Sequence, residues 1–492
     1  MSKVATVPAL LGDSQQSALV DCDAGWTLSH RELRDAVEAL AEQLHHLGVR
    51  PGDGVAIVME NSAATVVTFL AVARASAIAQ PINAALRQGE VDAELAEVRP
   101  ALMLTGDGAH DEAVAAARAG GIPIHAVGHG PPPAIDGVER ARGALADVDP
   151  DAVALLLHTS GTTSRPKAVP LRHRNLAASA LGIADGYGLG ADDCSYCVMP
   201  LFHVHGLVAS TLAALAGGGS VVVPRRTRAG ALWPHVHEHR VTWFSAVPTI
   251  LAKLPAAPDG DPGSLRFARS CSSSLAPPLW TQLEERFGVP VVEAYGMTEA
   301  AHQMTSNPLP PGDRRPGTVG VPAGADVAIL DPDWQPVPAG TAGEVSVRGA
   351  GVVDGYLDNP EANAASFRDG WFRTGDLGRL SADGYLTLDG RLKELINRGG
   401  EKIAPREVDE ALLAHPAVRE AVAYGVPDAK WGEVVHAAVV VDDGLSADEL
   451  RDFCSERLAA FKVPRRVHIV DAIPKGPTGK IQRRTMAEAL DA

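Results

Sequence analysis

The densest chemistry in the chain lies in ten residues, His158-Thr159-Ser160-Gly161-Thr162-Thr163-Ser164-Arg165-Pro166-Lys167. Five hydroxyls and a glycine sit there beside two cations. Hydroxyls and backbone N–H groups donate to phosphate oxygens, a glycine lets backbone come close, and Arg165 and Lys167 bring positive charge. The apolar run Ala152 to Leu157 leads in, and a helix is expected from about Arg174, giving a strand–loop–helix layout. Most Ser/Thr/Gly clusters are ordinary surface loops; this density of donors and cations points instead to a phosphate loop. It is not a Walker loop, because Pro166 stands where that pattern needs its second glycine.

Five other polar stretches close apolar runs. Pro200-Leu201-Phe202-His203-Val204-His205-Gly206 places two imidazoles together, and Glu293-Ala294-Tyr295-Gly296-Met297-Thr298-Glu299 sets a ring, a hydroxyl and a carboxylate directly after a strand. Thr374-Gly375-Asp376 offers a carboxylate in a tight turn. Gly390 to Lys402 is charged and carries the flexible pair Gly399-Gly400, and Lys480 ends a Pro/Gly-rich loop. Singly, each has a bland explanation: a core histidine, a surface acid, a turn aspartate, a solvated lysine. Cys194 and Cys197 form a CxxC ahead of His203 and His205, but Cys197 runs into apolar Val198 to Phe202 and no second CxxC follows. A buried strand accounts for it better than zinc. His235, His237 and His239 read as a solvated helix face.

The elements that must position these groups alternate. Ser29 and Glu32 make a capping box for a helix to about Leu47, ended by Gly48. Strands are expected at Gly54 to Met59, Leu102 to Thr105 and Ile122 to Ala126, with helices at Ser62 to Ala77 (one apolar face) and Glu112 to Ala119. The alternation resumes with strands at Tyr196 to Met199, Ser220 to Val223, Thr242 to Ala246 and Pro290 to Ala294, and a helix from Leu207. Such a series folds as an α/β protein with a doubly wound, mostly parallel sheet, whose ligands gather at the carboxyl ends of the strands. From about Gly317 short apolar pieces broken by Gly, Pro and Asp indicate a β subdomain. After Lys393 comes a small α+β unit: a helix opened by Pro405, strands near Val418 to Val426 and Val434 to Val441, and a helix from Ser446 to about Leu458. The expected division is 1–392 and 393–492.

Size and charge bound the function. A chain of 492 residues, 46% hydrophobic and 21% charged, supports several domains with large cores. A net charge of −16 argues against nucleic acid, whose phosphates need a basic surface. No apolar run is long enough for a membrane span, and neither a signal peptide nor a C-terminal targeting or lipidation signal is present, so a cytoplasmic location is expected. Five cysteines do not make a disulfide framework.

Taken together, the motifs resemble the adenylate-forming superfamily of acyl- and aryl-CoA synthetases, luciferases and peptide-synthetase adenylation domains, over nearly the whole length. The wording is most similar to the oxalate–CoA ligase group of plants and fungi, in HTSGTTSRPK from His158, MPLFHVHGL from Met199, RSCSSSLAP from Arg269, MTEAAHQMTSNPLP from Met297 and KELINRGGEKI from Lys393. Relative to the superfamily, Ser164 and Ala168 replace usual glycines, and Ser164 is shared with the oxalate group. The resemblance implies an ATP-dependent ligase that forms an acyl-adenylate with release of pyrophosphate, then passes the acyl group to coenzyme A with release of AMP. It implies a large N-terminal part and a small mobile C-terminal domain. It implies that Thr159, Ser160, Gly161, Thr162, Thr163 and Lys167 hold the β- and γ-phosphates, that Glu299 binds Mg²⁺, and that Thr298 touches the α-phosphate. Tyr295, with Glu293, Ala294 and Gly296, is expected at adenine; Asp376 and Arg391 at the ribose. Ser272 and Ser273 are expected along the nucleotide and acid site. Lys480 would reach the acid carboxylate and the α-phosphate, with Lys393 as hinge. Gly399, Gly400 and Lys402 would face the thiol channel. His203, His205, Ser272 and His302 would line a polar pocket suited to a small acid with a second carboxylate, oxalate foremost. Other small or aromatic acids, and transfer to a carrier protein, remain alternatives.

Overall fold

The computed structural model describes residues 6–106, 111–143, 145–159, 167–442, 444–475, 481, 483 and 486–490. It is an α/β protein with a large N-terminal part built on extended sheets and a smaller C-terminal domain. A six-stranded sheet has the order Ile124–Ala126, Leu102–Thr105, Gly54–Val58, Ile78–Pro81, Val153–Thr159, Lys167–Arg172, parallel except for its last pair. A nine-stranded sheet runs from Val321–Pro322 through His302–Ser306, Val291–Met297, Phe267–Ser270, Trp243–Ala246, Cys194–Tyr196, Ser220–Val223 and Ser17–Asp21 to Trp26–Ser29. Its centre is parallel and its two ends turn antiparallel. The buried centre explains the continuous Val, Ile and Leu runs, because parallel strands are covered on both faces.

Local signals act as the sequence expects at several ends. Ser29 caps helix His30–His46: its hydroxyl takes the Glu32 N–H at 3.2 Å and the Glu32 carboxylate takes the Ser29 N–H at 2.8 Å. That helix buries Leu33, Val37, Leu40 and Leu44 in one stripe. Helix Ala63–Arg74 differs from expectation. It is buried on every side from Ala63 to Ala73, packed between sheet and helix, rather than presenting a single apolar face.

The phosphate-loop region also departs from the expected strand–loop–helix. Val153–Thr159 pairs antiparallel with Lys167–Arg172, so the loop joins two strands of a hairpin, and helix His173–Tyr187 begins only after the second. Anion binding by a helix N-terminus therefore does not apply to this loop. The Asp376 turn is likewise a strand: Trp371–Leu380 runs through it in a five-stranded sheet with Asp326–Leu330, Gly343–Arg348, Phe367–Arg368 and Leu386–Arg391. The C-terminal sheet contains Ile396–Arg398, Glu401–Ile403, Val418–Asp428, Gly432–Val441 and Arg466–Ile469. Helices Pro405–Leu413 and Ala447–Ser455 cover it, the second capped by Ser446 and Glu449. No helix among the described residues is long and apolar enough to cross a membrane.

Candidate active site

Gly206 lets the chain turn from Pro200 into the wide helical turns of His205–Leu212; a Cβ there would stand 2.3 Å from the Pro200 carbonyl oxygen. The turn buries His205, with Nδ1 3.0 Å from Ser272 Oγ and Nε2 2.7 Å from Ser245 Oγ. His302 meets it edge-on, ring centroids 5.0 Å apart. His302 is held by strand Val291–Met297, where a Cβ on Gly296 would lie 1.9 Å from the His302 carbonyl oxygen. Burial first, then the Arg269 charge, holds both imidazoles well below the usual histidine range, so both are neutral at pH 7. His302 has φ +131°, Ala301 +51° and Ser272 +70°. Such backbone costs of order 1–3 kcal/mol per residue and gathers at binding sites. Nδ1 of His302 is buried with no hydrogen-bond partner among the described residues. His203 and Ser273 are half-buried, His203 close enough for its charge to act on both imidazoles.

A second set of groups lies around Tyr295. Its hydroxyl donates to Asp376 Oδ2, and Arg391 Nε stands 3.1 Å from Asp376 Oδ1, as their cross-strand register dictates. The phenol is driven well above its ordinary range by burial and the Asp376 charge. Next to the short turn Thr298–Ala300, the Tyr356 hydroxyl donates to Glu299 Oε1 at 2.9 Å, and the Lys167 ammonium stands 4.2 Å above the Tyr356 ring. Burial pushes the Glu299 carboxyl up, and burial followed by the Lys393 charge pushes the Lys167 ammonium down. A hard divalent cation fits here, since it would favour the ionised form of a buried carboxylate already oriented by a phenol. Glu293 takes the Leu275 N–H on Oε1 at 2.9 Å, leaves Oε2 without a partner among the described residues, and is pushed up to about 7 by burial. Ala294 pairs with Ser306 in the sheet.

On the C-terminal side, Lys393 is exposed on the short turn Leu392–Glu394. Gly399 and Gly400 form the tip of the hairpin carrying Lys402, with φ +62° and +99°. Ser160, Gly161, Thr162, Thr163 and Lys480 lie outside the described residues, as do Ser164 and Arg165; of Thr159 only its place at the end of its strand is described.

Sequence alone assigns no role to Arg269, Ser245, Trp431 or Tyr356, whose hydroxyl holds Glu299. Arg269 and Ser245 are fully buried behind His205, and the available signal was a cation inside the apolar strand Phe267–Ser270. Trp431, 41% exposed, sits against Gly399 with Arg398 and Lys430 beside its ring, a surface that suits a phosphorylated adenine.

The sequence profile of the AMP-binding enzyme matches residues 12–357, and that of the AMP-binding enzyme C-terminal domain matches residues 407–480. The chain belongs to the AMP-binding enzyme family. It is 45% identical to an oxalate–CoA ligase of Arabidopsis thaliana over 488 residues, 94% of this chain and 93% of that one. It is 52% identical to an oxalate–CoA ligase of Saccharomyces cerevisiae over 343 residues, 69% of this chain and 63% of that one. ATP-bound MatB from Rhodopseudomonas palustris superposes with a TM-score of 0.91 at 31% identity, covering 99% and 98% of the two chains, against 0.81 for its apo form. The protein is an ATP-dependent, AMP-forming acid–CoA ligase.

Proposed function

We propose that the acid is oxalate and that the division of labour among the named residues is as follows. The observation that carries the choice of acid is the group of buried His205 and His302 with half-buried Ser272, backed by Arg269, a polar end wall in which no carboxylate hydrogen-bonds these side chains among the described residues. A fatty or aromatic acid would meet apolar groups there, whereas a two-carbon dicarboxylate presents a second anion that hydrogen-bond donors satisfy. Names of relatives at 45% and 52% identity support the same reading.

Lys167 and the hydroxyls at 159, 160, 162 and 163, with Gly161, hold the β- and γ-phosphates, and Thr298 takes the α-phosphate. Tyr295 flanks adenine, with Glu293 and the backbone of Ala294 and Gly296 shaping its edge. The Asp376–Arg391 pair receives the ribose hydroxyls. Mg²⁺ held by Glu299 would neutralise phosphate charge when bound. Lys480 would neutralise the charge that grows as the carboxylate attacks phosphorus, then leave as the C-terminal domain (393–492) turns about Lys393. The hairpin of Gly399, Gly400 and Lys402 then lines the thiol path, and Trp431 with its cations takes the nucleotide end of CoA.

His205→Ala and His302→Ala test the pocket. Each is expected to raise the KM for oxalate tenfold or more while that for ATP moves less than about threefold. An unchanged oxalate KM in both would remove these histidines from the acid site.

A further inference from the structure

Arg269 is 0% exposed on strand Phe267–Ser270, and no Asp or Glu among the described residues pairs with it. Its partners are neutral: Nε donates to Tyr187 Oη at 2.9 Å, Nη1 to Ser245 Oγ at 2.9 Å and Nη2 to Gln303 Oε1 at 3.0 Å, with the Cys271 thiol beside it. A cation taken fully out of water is costly unless an anion answers it. No anion does so within the described fold.

Proton bookkeeping gives this cation a direction. A guanidinium only donates, so Ser245 Oγ must accept from it. Among the described residues Ser245 Oγ has one other partner, His205 Nε2 at 2.7 Å; accepting from both would leave its own buried proton unpaired, so that proton goes to the nitrogen. His205 must then carry its own proton on Nδ1 and donate it to Ser272 Oγ at 3.0 Å. Ser272, half-buried at φ +70° with its hydroxyl also beside the buried Cys271 thiol, is then free to turn its proton to an acceptor in the pocket. Each donor from Arg269 through Ser245 and His205 thus faces Ser272.

We infer that Arg269 is a positioning and specificity-determining residue: through Ser245 it fixes His205 as the Nδ1–H tautomer, aims the Ser272 hydroxyl at the substrate's second carboxylate, and supplies the buried positive charge that this carboxylate answers. This inference rests on the acid-pocket reading above and deepens it. A monocarboxylate places nothing anionic at that wall, so the charge would remain unanswered with it. The device therefore selects dianionic acids over monoanionic ones of the same length.

The test uses the full-length enzyme and Ser245→Ala, Arg269→Lys and Arg269→Met. Nitrogen-15 NMR of histidine-labelled protein without any acid reads the His205 tautomer, assigned by its loss in His205→Ala. The wild type is expected to show protonated Nδ1 and bare Nε2, and Ser245→Ala to lose that preference; protonated Nε2 in the wild type overturns the inference whichever acid proves to be the substrate. In thioester assays with oxalate and glycolate, Ser245→Ala and Arg269→Met are expected to lose about tenfold or more in kcat/KM for the dianion through KM, with the monoanion and ATP changed less than about threefold. Arg269→Lys should recover part of the dianion preference. Equal loss for both acids and ATP would mean a merely structural role, and unchanged discrimination would equally overturn it. Should Arg269→Met fail to fold, Ser245→Ala decides. Should oxalate fail as a substrate of the wild type, the tautomer reading still stands or falls alone.

Discussion

Replacing Glu293 by Gln isolates a charge that the fold buries at a measurable cost. The carboxyl is 1% exposed; one oxygen takes the Leu275 N–H and the other has no partner among the described residues. Burial, partly offset by the charge of Arg406, pushes it from an ordinary 4.5 up to about 7. The folded state thus holds a proton that the unfolded chain releases earlier. The sign follows: the stability this group contributes is fully present below pH 4.5, falls as pH rises toward about 7, and is gone above it. A carboxyl titrating near 7 rather than 4.5 corresponds to about 3 kcal/mol of that loss. Gln keeps the oxygen that accepts from Leu275 and cannot ionise. At pH 8.5 Glu293→Gln is therefore expected to be more stable than wild type by about 3 kcal/mol, equivalent to about 3 °C for a chain of this size. The two should converge near pH 4.5. Calorimetric melting of both proteins in the absence of nucleotide, from pH 5 to 8.5, makes the comparison. Parallel melting curves across that range would refute the buried, ionising carboxyl.

Two further outcomes follow from the site. Lys480→Ala should abolish pyrophosphate-forming adenylation yet retain CoA thioester formation from a supplied acyl-adenylate, read by separate half-reaction assays; equal loss of both would contradict the division of labour. Gly296→Ala should lower stability by about 3 kcal/mol or more, because the added Cβ would stand 1.9 Å from the backbone oxygen of His302 and neither strand can yield cheaply; chemical denaturation measures it, and a variant melting with wild type would mean the two strands are not so tightly apposed.

What could be read from sequence were the features written in neighbouring residues. Ser29 with Glu32 and Ser446 with Glu449 announce helix starts, because a cap is a contact between residues three apart. Pro405 opens a helix for the same local reason. What stayed hidden depends on distant partners. Helix Gln88–Val98 follows Arg87, with no Ser, Thr, Asn or Asp at its cap, and has only Val91 and Leu95 buried, so neither end nor face declares it. The pairing of Val153–Thr159 with Lys167–Arg172 turned an expected strand–loop–helix into a hairpin, since hydrogen bonding across seven intervening residues has no mark in the composition of either strand. The motifs placed Tyr295, Asp376, Arg391 and Glu299 in chain order, but register sets only the Asp376–Arg391 pair; the meeting of Tyr295 with Asp376 and of Tyr356 with Glu299 depends on how distant elements pack. Arg269 and Ser245 carry ordinary side chains on ordinary strands. Only the placing of Ser245 between Arg269 and His205 makes them informative.

As proposed above, this chain activates a small dicarboxylate with ATP and passes it to CoA. The most direct test is a comparison of acids, oxalate, malonate, glycolate, acetate, coumarate and a fatty acid, each incubated with the enzyme, ATP, Mg²⁺ and CoA, with thioester and AMP measured together. Oxalyl-CoA and AMP are expected in equal amounts, with kcat/KM for oxalate about tenfold or more above that for every other acid. A preferred aromatic or fatty acid, or AMP released without thioester, would contradict it.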